Sequence, residues 1–179
     1  VYIAERTKTW RPRTLADHVR MIEPGGRKAN RGTRGRGITV PGPIYPLLQL
    51  RLVDLTPEVV ERWAKTQGEE RPTFGRLAWR CLKAFLNWAS TEPDYKHLVN
   101  AQAASTRKTR ESFGKPVARK DALERNQLAA WFKAVRAIDN PVVSAVLQVM
   151  LLSGARENEV LSLRWNDVNF HWRKIVIKD

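Results

Sequence analysis

The sequence predicts a mainly α-helical chain that ends in a short β-hairpin, and three observations predict it. Apolar residues recur at helical spacing in several stretches, most of them marked by a capping residue or proline at one end and by glycine or proline at the other. Between them lie stretches without periodicity, rich in arginine, lysine and glycine. After Asp167 the period changes to two: Val168, Phe170 and Trp172 alternate before the β-branched run Ile175, Val176 and Ile177.

Residues 1–23 carry a short helical pattern, with Thr14 as candidate N-cap and Leu15, Val19 and Ile22 on one face, ended by Pro24-Gly25-Gly26. Residues 24–43 read as a flexible insert. A second helix opens with Thr56 as N-cap and Pro57 at its first position; Val59, Val60 and Trp63 form its apolar face, and Gly68 and Pro72 close it. A third runs from near Pro72 to about Ala89. Residues 90–121 lose the pattern, and 105–121 read as an interdomain linker. Helix returns near Asn126, with Leu128, Trp131, Phe132, Val135 and Ile138 on one side, and Asn140-Pro141 marks a break. Val142 to Leu152 then reads as a buried helix, capped by Ser153-Gly154, and a hairpin turning around His171 to Lys174 completes the chain.

Charge narrows the partner. In 179 residues there are 32 lysines and arginines against 18 acids, a formal net charge of +14, which points to a polyanion with nucleic acid foremost. A membrane surface fits less well, because no amphipathic helix combines a polybasic face with an exposed apolar one, and the longest apolar run is too short to span a bilayer. No secretory signal is visible at the N-terminus. The one cysteine, Cys81, cannot form an internal disulfide, and no Cys/His cluster suggests zinc, so no metal or cofactor and a cytoplasmic location are expected. An RNA module is the weaker nucleic-acid reading, since no aromatic-bearing strand motif is present. Trp63, Trp79, Trp88 and Trp131 fall on apolar helix faces and read as core.

Three basic stretches are candidate DNA contacts. On the third helix Arg76, Arg80, Lys83 and Asn87 fall within an arc of about 60 degrees on an otherwise apolar surface, a stripe suited to phosphates and base edges. The alternative is an ordinary amphipathic helix with a cationic side. Arg27, Lys28, Arg31, Arg34 and Arg36 belong to the insert, which contains no acid and is either a solvated loop or a contact. Lys115, Arg119 and Lys120 belong to the linker, either a strap on the duplex or a cationic tether.

The run LLSGARENEVLSLRWNDVNF, residues 151–170, carries the sharpest signal. It places Arg156 in the first turn of a helix, where the dipole disfavours a cation, with Glu159 three residues on to pair with it. A guanidinium at the mouth of a helix hairpin is either a phosphate clamp or a solvated arginine in a surface ion pair.

In the order Gly154, Arg156, Glu159, Leu163, Trp165 and Asp167, this run resembles the first catalytic box of the tyrosine recombinases, the phage-integrase family of site-specific DNA recombinases. Thr14 to Ala89 is similar to the small helical core-binding domain of that family. The resemblance implies a SAM-like core-binding domain (1–104, with the basic insert 24–43), the basic linker 105–121, and the first helices and first β-hairpin of a mixed α+β DNA breaking-rejoining domain (122–179). It further implies DNA integration and recombination by a phage or prophage type of mobile element, through a 3'-phosphotyrosyl intermediate, with Arg156 stabilising the attacked phosphate and Glu159 orienting the site by hydrogen bonding and charge without itself reacting. Neither ATP nor a metal is required. The partner implied is double-stranded DNA at an attachment site, with a homo-tetramer assembled on it, in a nucleoid-associated setting.

The family's lysine is expected in the turn after the second strand, about where the sequence ends at Asp179, and Lys178 falls a few residues early. No H-x-x-R box with its tyrosine is present: Tyr2, Tyr45 and Tyr95, and His18, His97 and His171, stand in other contexts. The fragment is therefore expected to bind DNA without recombining it. A non-enzymatic regulator, with the hairpin around Gly154 as a helix-turn-helix, is the alternative, and the codons after residue 179 in the gene discriminate the two.

Overall fold

The computed structural model describes residues 1–28, 37–116 and 121–177. The readings made for Arg31, Arg34, Arg36, Arg119, Lys120 and Lys178 lie outside them. The fold is mainly α, and the chain divides into two compact units, Val1–Val117 and Ala118–Asp179.

In the first unit prolines start the long helices. Pro12, Pro57 and Pro72 open α2 (Pro12–Ile22), α3 (Pro57–Glu70) and α4 (Pro72–Thr91), where a missing N–H costs nothing and the fixed φ suits the first turn. α2 thus begins two residues before Thr14, the expected cap, and Arg11 takes the cap position without a side-chain bond. Thr56 caps α3 as expected, its hydroxyl accepting from the Val59 N–H at 3.4 Å. Ahead of α2 lies α1 (Tyr2–Arg6), which no periodicity announces; the Tyr2 ring holds it by packing on Trp10, Phe85 and Trp88, with centroids 5.0–5.5 Å away.

Met21, Val60, Ala64, Ala78, Leu86 and Ala104 are fully buried at the centre of this unit. The Trp63 indole closes one side, donating to the Pro43 carbonyl at 2.6 Å. The insert is built at its base. Gly26 donates to the Thr39 carbonyl at 2.8 Å, Thr39 to that of Arg27 at 2.7 Å, and Lys28 pairs with Ile38 in an antiparallel bridge.

Two departures concern one contact. α3 does not stop at Gly68 but runs through it, and α5 (Arg107–Ser112) forms inside the stretch read as linker. A Cβ at residue 68 would collide with the Ser112 carbonyl oxygen, and one at Gly75 would meet the Phe113 ring at 2.8 Å, so these glycines let α5 and the residue after it lie close. Thr106 caps α5 by accepting from the Thr109 N–H at 3.2 Å, and Thr109 and Phe113 are buried. Only those two side chains enter the interior, which is why a charge-rich stretch conceals the helix.

In the second unit a turn at Arg125–Gln127 leads into α6 (Leu128–Arg136). Asn140 caps α7 (Pro141–Ser153), its Oδ1 accepting from the N–H groups of Val142 and Val143. Gly154, at φ 67, ends α7 in the left-handed region and donates to the Met150 carbonyl at 3.0 Å, as the sequence indicates. α7 packs on α6 and on α8 (Glu157–Leu161), yet it is not the buried helix expected. Val142 and Leu152 are 67% and 75% exposed, and of its residues only Ser144 is buried, because α6 and α8 cover a stripe rather than its whole circumference. The hairpin joins β1 (Val168–Asn169) to β2 (Lys174–Ile175), antiparallel, with Val168 opposite Ile175.

Candidate functional site

Of the four residues placed on one stripe of α4, the structure keeps three together at the surface and diverts the fourth. Arg80 and Asn87 are exposed, and Lys83 is half-buried with its Nζ 5.4 Å from the centroid of the Trp79 ring. Among the described residues of this unit the ion pairs involve Arg27, Arg51, Arg107 and Lys108, so neither Arg80 nor Lys83 has a carboxylate partner there. Arg76 is different. Its Nη2 donates to the Phe113 carbonyl at 2.6 Å, its Nε is buried without a partner, and the side chain is half-buried. Helical spacing puts Arg76 on the stripe, but the end of α5 covers that position.

The insert is less bare than its composition indicates. Arg27 pairs with Glu23, one turn back in the chain, and Lys28 lies in the bridge at the base. Lys115 is exposed beyond Phe113. α5 adds basic residues that are partly neutralised: Arg107 reaches Glu111 at 2.7 Å and Lys108 lies 3.6 Å from Glu61, while Arg110 is exposed. Sequence reasoning missed a further basic group. The guanidinium carbons of Arg20 and Arg71 lie 5.0 and 6.0 Å from the centroid of the Phe74 ring, bringing α2 and the start of α4 together, and Arg71 also donates to the Pro41 carbonyl. The signal available was Phe74 itself, an aromatic two residues inside a helix that starts Arg-Pro.

In the second unit Arg156 and Glu159 meet as expected, with one change. Arg156 is the N-cap of α8 rather than a residue of its first turn, and its extended ψ of 152° aims its own N–H at the Glu159 carboxylate. That N–H donates to Oε2 and the guanidinium Nη1 to Oε1, both at 2.8 Å. The main-chain donor and then the guanidinium hold the Glu159 carboxyl below its usual range. The Arg156 side chain is 82% exposed and that of Glu159 20%, so the acid is seated while the remaining guanidinium N–H groups face outward, free to take an anion. Ser153 supports the turn: its hydroxyl donates to the Val149 carbonyl and accepts from the Ala155 N–H. Further along, Asp167 is buried and accepts from the Arg164 N–H at 3.0 Å, whereas Trp165 is 81% exposed and stacks on Phe170. The one thiol offers no nucleophile, since burial pushes Cys81 up to about 11.

Residues 1–111 match the family model described as the phage integrase core-binding domain. The chain belongs to the phage integrase family. The core-binding match takes in all of α1 to α4 and most of α5. The chain is also 40% identical over 176 residues to the prophage integrase IntF of Escherichia coli (strain K12). That likeness covers 96% of this chain, so it continues well past the core-binding domain, and 37% of the relative. The chain thus spans little more than a third of the length of the integrase it matches. No solved structure gives a significant match. Among the described residues no helix is long and apolar enough to cross a membrane.

Proposed function

We propose that this chain is the DNA-binding part, and the beginning of the catalytic part, of a tyrosine-type site-specific recombinase. The observation that carries the reading is the twice-bonded Arg156–Glu159 pair following a core-binding domain. Attack on a phosphodiester builds negative charge on its oxygens, and a guanidinium pre-oriented by a seated carboxylate stabilises that charge with little reorganisation. Glu159 orients and does not itself react. The 3'-phosphotyrosyl link conserves the energy of the broken bond, so the reaction needs neither ATP nor a metal. Within these 179 residues the role is binding of double-stranded DNA without cleavage; recombination belongs to a chain of the relative's length, acting as a tetramer on attachment sites in the cytoplasm, at the nucleoid.

The core-binding part extends through α5 to Phe113 in this reading, with the linker beginning at Gly114 in place of residue 105. A helix-turn-helix regulator is the poorer fit. α8 has five residues, about 7.5 Å of helix at 1.5 Å per residue, which is too short to lie along a major groove as a recognition helix.

Two measurements test the proposal separately. Arg80→Ala with Lys83→Ala should reduce the steepness of the salt dependence of DNA binding by roughly 0.9 per lost phosphate contact, and an unchanged slope removes α4 from the interface. In an integrase of full length, Arg156→Ala should abolish covalent protein–DNA adducts while leaving binding largely intact. Adducts forming at the normal rate would dismiss the catalytic assignment.

A further inference from the structure

The rings beside Lys83 connect the DNA-facing stripe to the exit of the chain from the first unit. Phe113, 3% exposed, stacks on Trp79 with centroids 5.7 Å apart and planes 22° apart, and meets Trp63 edge-on at 6.0 Å. The Trp79 indole N–H donates to the Ala104 carbonyl at 2.7 Å. Trp79 is thus held by the chain on both sides of α5, and Lys83, four residues along the same helix, lays its ammonium over the ring so held.

We propose that Trp79 is a positioning residue for DNA binding, fixing the Lys83 ammonium on the α4 stripe, and that Phe113 docks the segment leading to the second unit in a way that sets this platform. The inference rests on the reading that the α4 stripe faces DNA. A lysine ammonium is a mobile point charge on a flexible stem, and ordering it on a phosphate costs side-chain entropy. A ring that restrains the stem beforehand lowers that cost, and attraction to the ring face keeps the charge within the stripe. Phe113 is the last residue before Gly114, whose φ of 58° turns the chain, so loss of the docked segment would reach DNA affinity through Trp79 without touching a phosphate-binding side chain.

The test is a double-mutant cycle on the whole chain, reading the salt dependence of binding to a mixed-sequence duplex of about 30 base pairs. Lys83→Ala should lower the slope by about 0.9, Trp79→Leu by most of that amount, and Lys83→Ala should then add almost nothing on the Trp79→Leu background. Trp79→Phe, which keeps a ring face but loses the bond to Ala104, should retain most of the Lys83 contribution. A Lys83 contribution of full size on the Trp79→Leu background overturns the proposal. No effect of Lys83→Ala in the unaltered protein overturns the α4 reading itself, and the proposal with it. Undiminished Lys83 dependence in Phe113→Leu overturns the part assigned to Phe113; should Trp79→Leu fail to fold by circular dichroism, Trp79→Met takes its place, keeping an apolar side chain and removing the ring. Undiminished Lys83 dependence on that background is equally fatal.

Discussion

Arg156 and Glu159 are joined twice over, main-chain N–H to one carboxylate oxygen and guanidinium to the other, so one carboxylate ties the cation to the start of the helix. The acid serves half of a capping box while neutralising an arginine at the unfavourable end of the helix dipole.

The pair makes the second unit sensitive to acid. Because Glu159 has a lowered carboxyl pKa in the folded chain, its contribution is complete above the unfolded carboxylate value, about 4.3, and is lost as pH falls through the lower folded value. Followed by NMR, the Arg156 amide should titrate with a midpoint below that of an ordinary glutamate, and Glu159→Gln should abolish the transition. A midpoint at or above the ordinary value would mean that the two bonds do not hold in solution.

Gly68→Ala is expected to destabilise the first unit by about 1–3 kcal/mol, since the new methyl meets backbone at Ser112 and one of two chain segments must move. Chemical denaturation of the whole chain checks the size. Hydrogen exchange across 106–113 checks the place, and unaltered protection there would show that α5 does not lie on α3.

Arg76→Ala should separate stability from DNA binding. Loss of a charged donor to a half-buried carbonyl costs about 1.5–3 kcal/mol, while the salt slope should stay as it was because this guanidinium is engaged within the protein. A slope lower by a full phosphate contact would return Arg76 to the interface.

Legibility in the sequence followed the range of the interaction. Helix starts at Pro57 and Pro72, the αL stop at Gly154 and the Arg156–Glu159 pair depend on neighbours within a turn, and each is readable as written. Arg76 depends on a carbonyl 37 residues away, and spacing reveals the face a side chain occupies but not what lies over it. Gly68 shows the same limit: a glycine late in a helix reads as a terminator until the element that needs the space is in view. α7 departs in the other direction, for a run apolar all round signals burial from every side and the elements packed on it here cover one.

The pinch between Lys28 and Ile38 bears on how members of this family can differ from one another. The two sides of the neck are tied to each other and Gly25 is wedged against Pro41, so Lys28 and Ile38 stand side by side whatever number of residues separates them in sequence. Each doubling of that number would add only about 0.6 kcal/mol of closure entropy. An epitope spliced between Lys28 and Ile38 is therefore expected to leave folding intact, with a cooperative denaturation midpoint close to that of the unaltered chain.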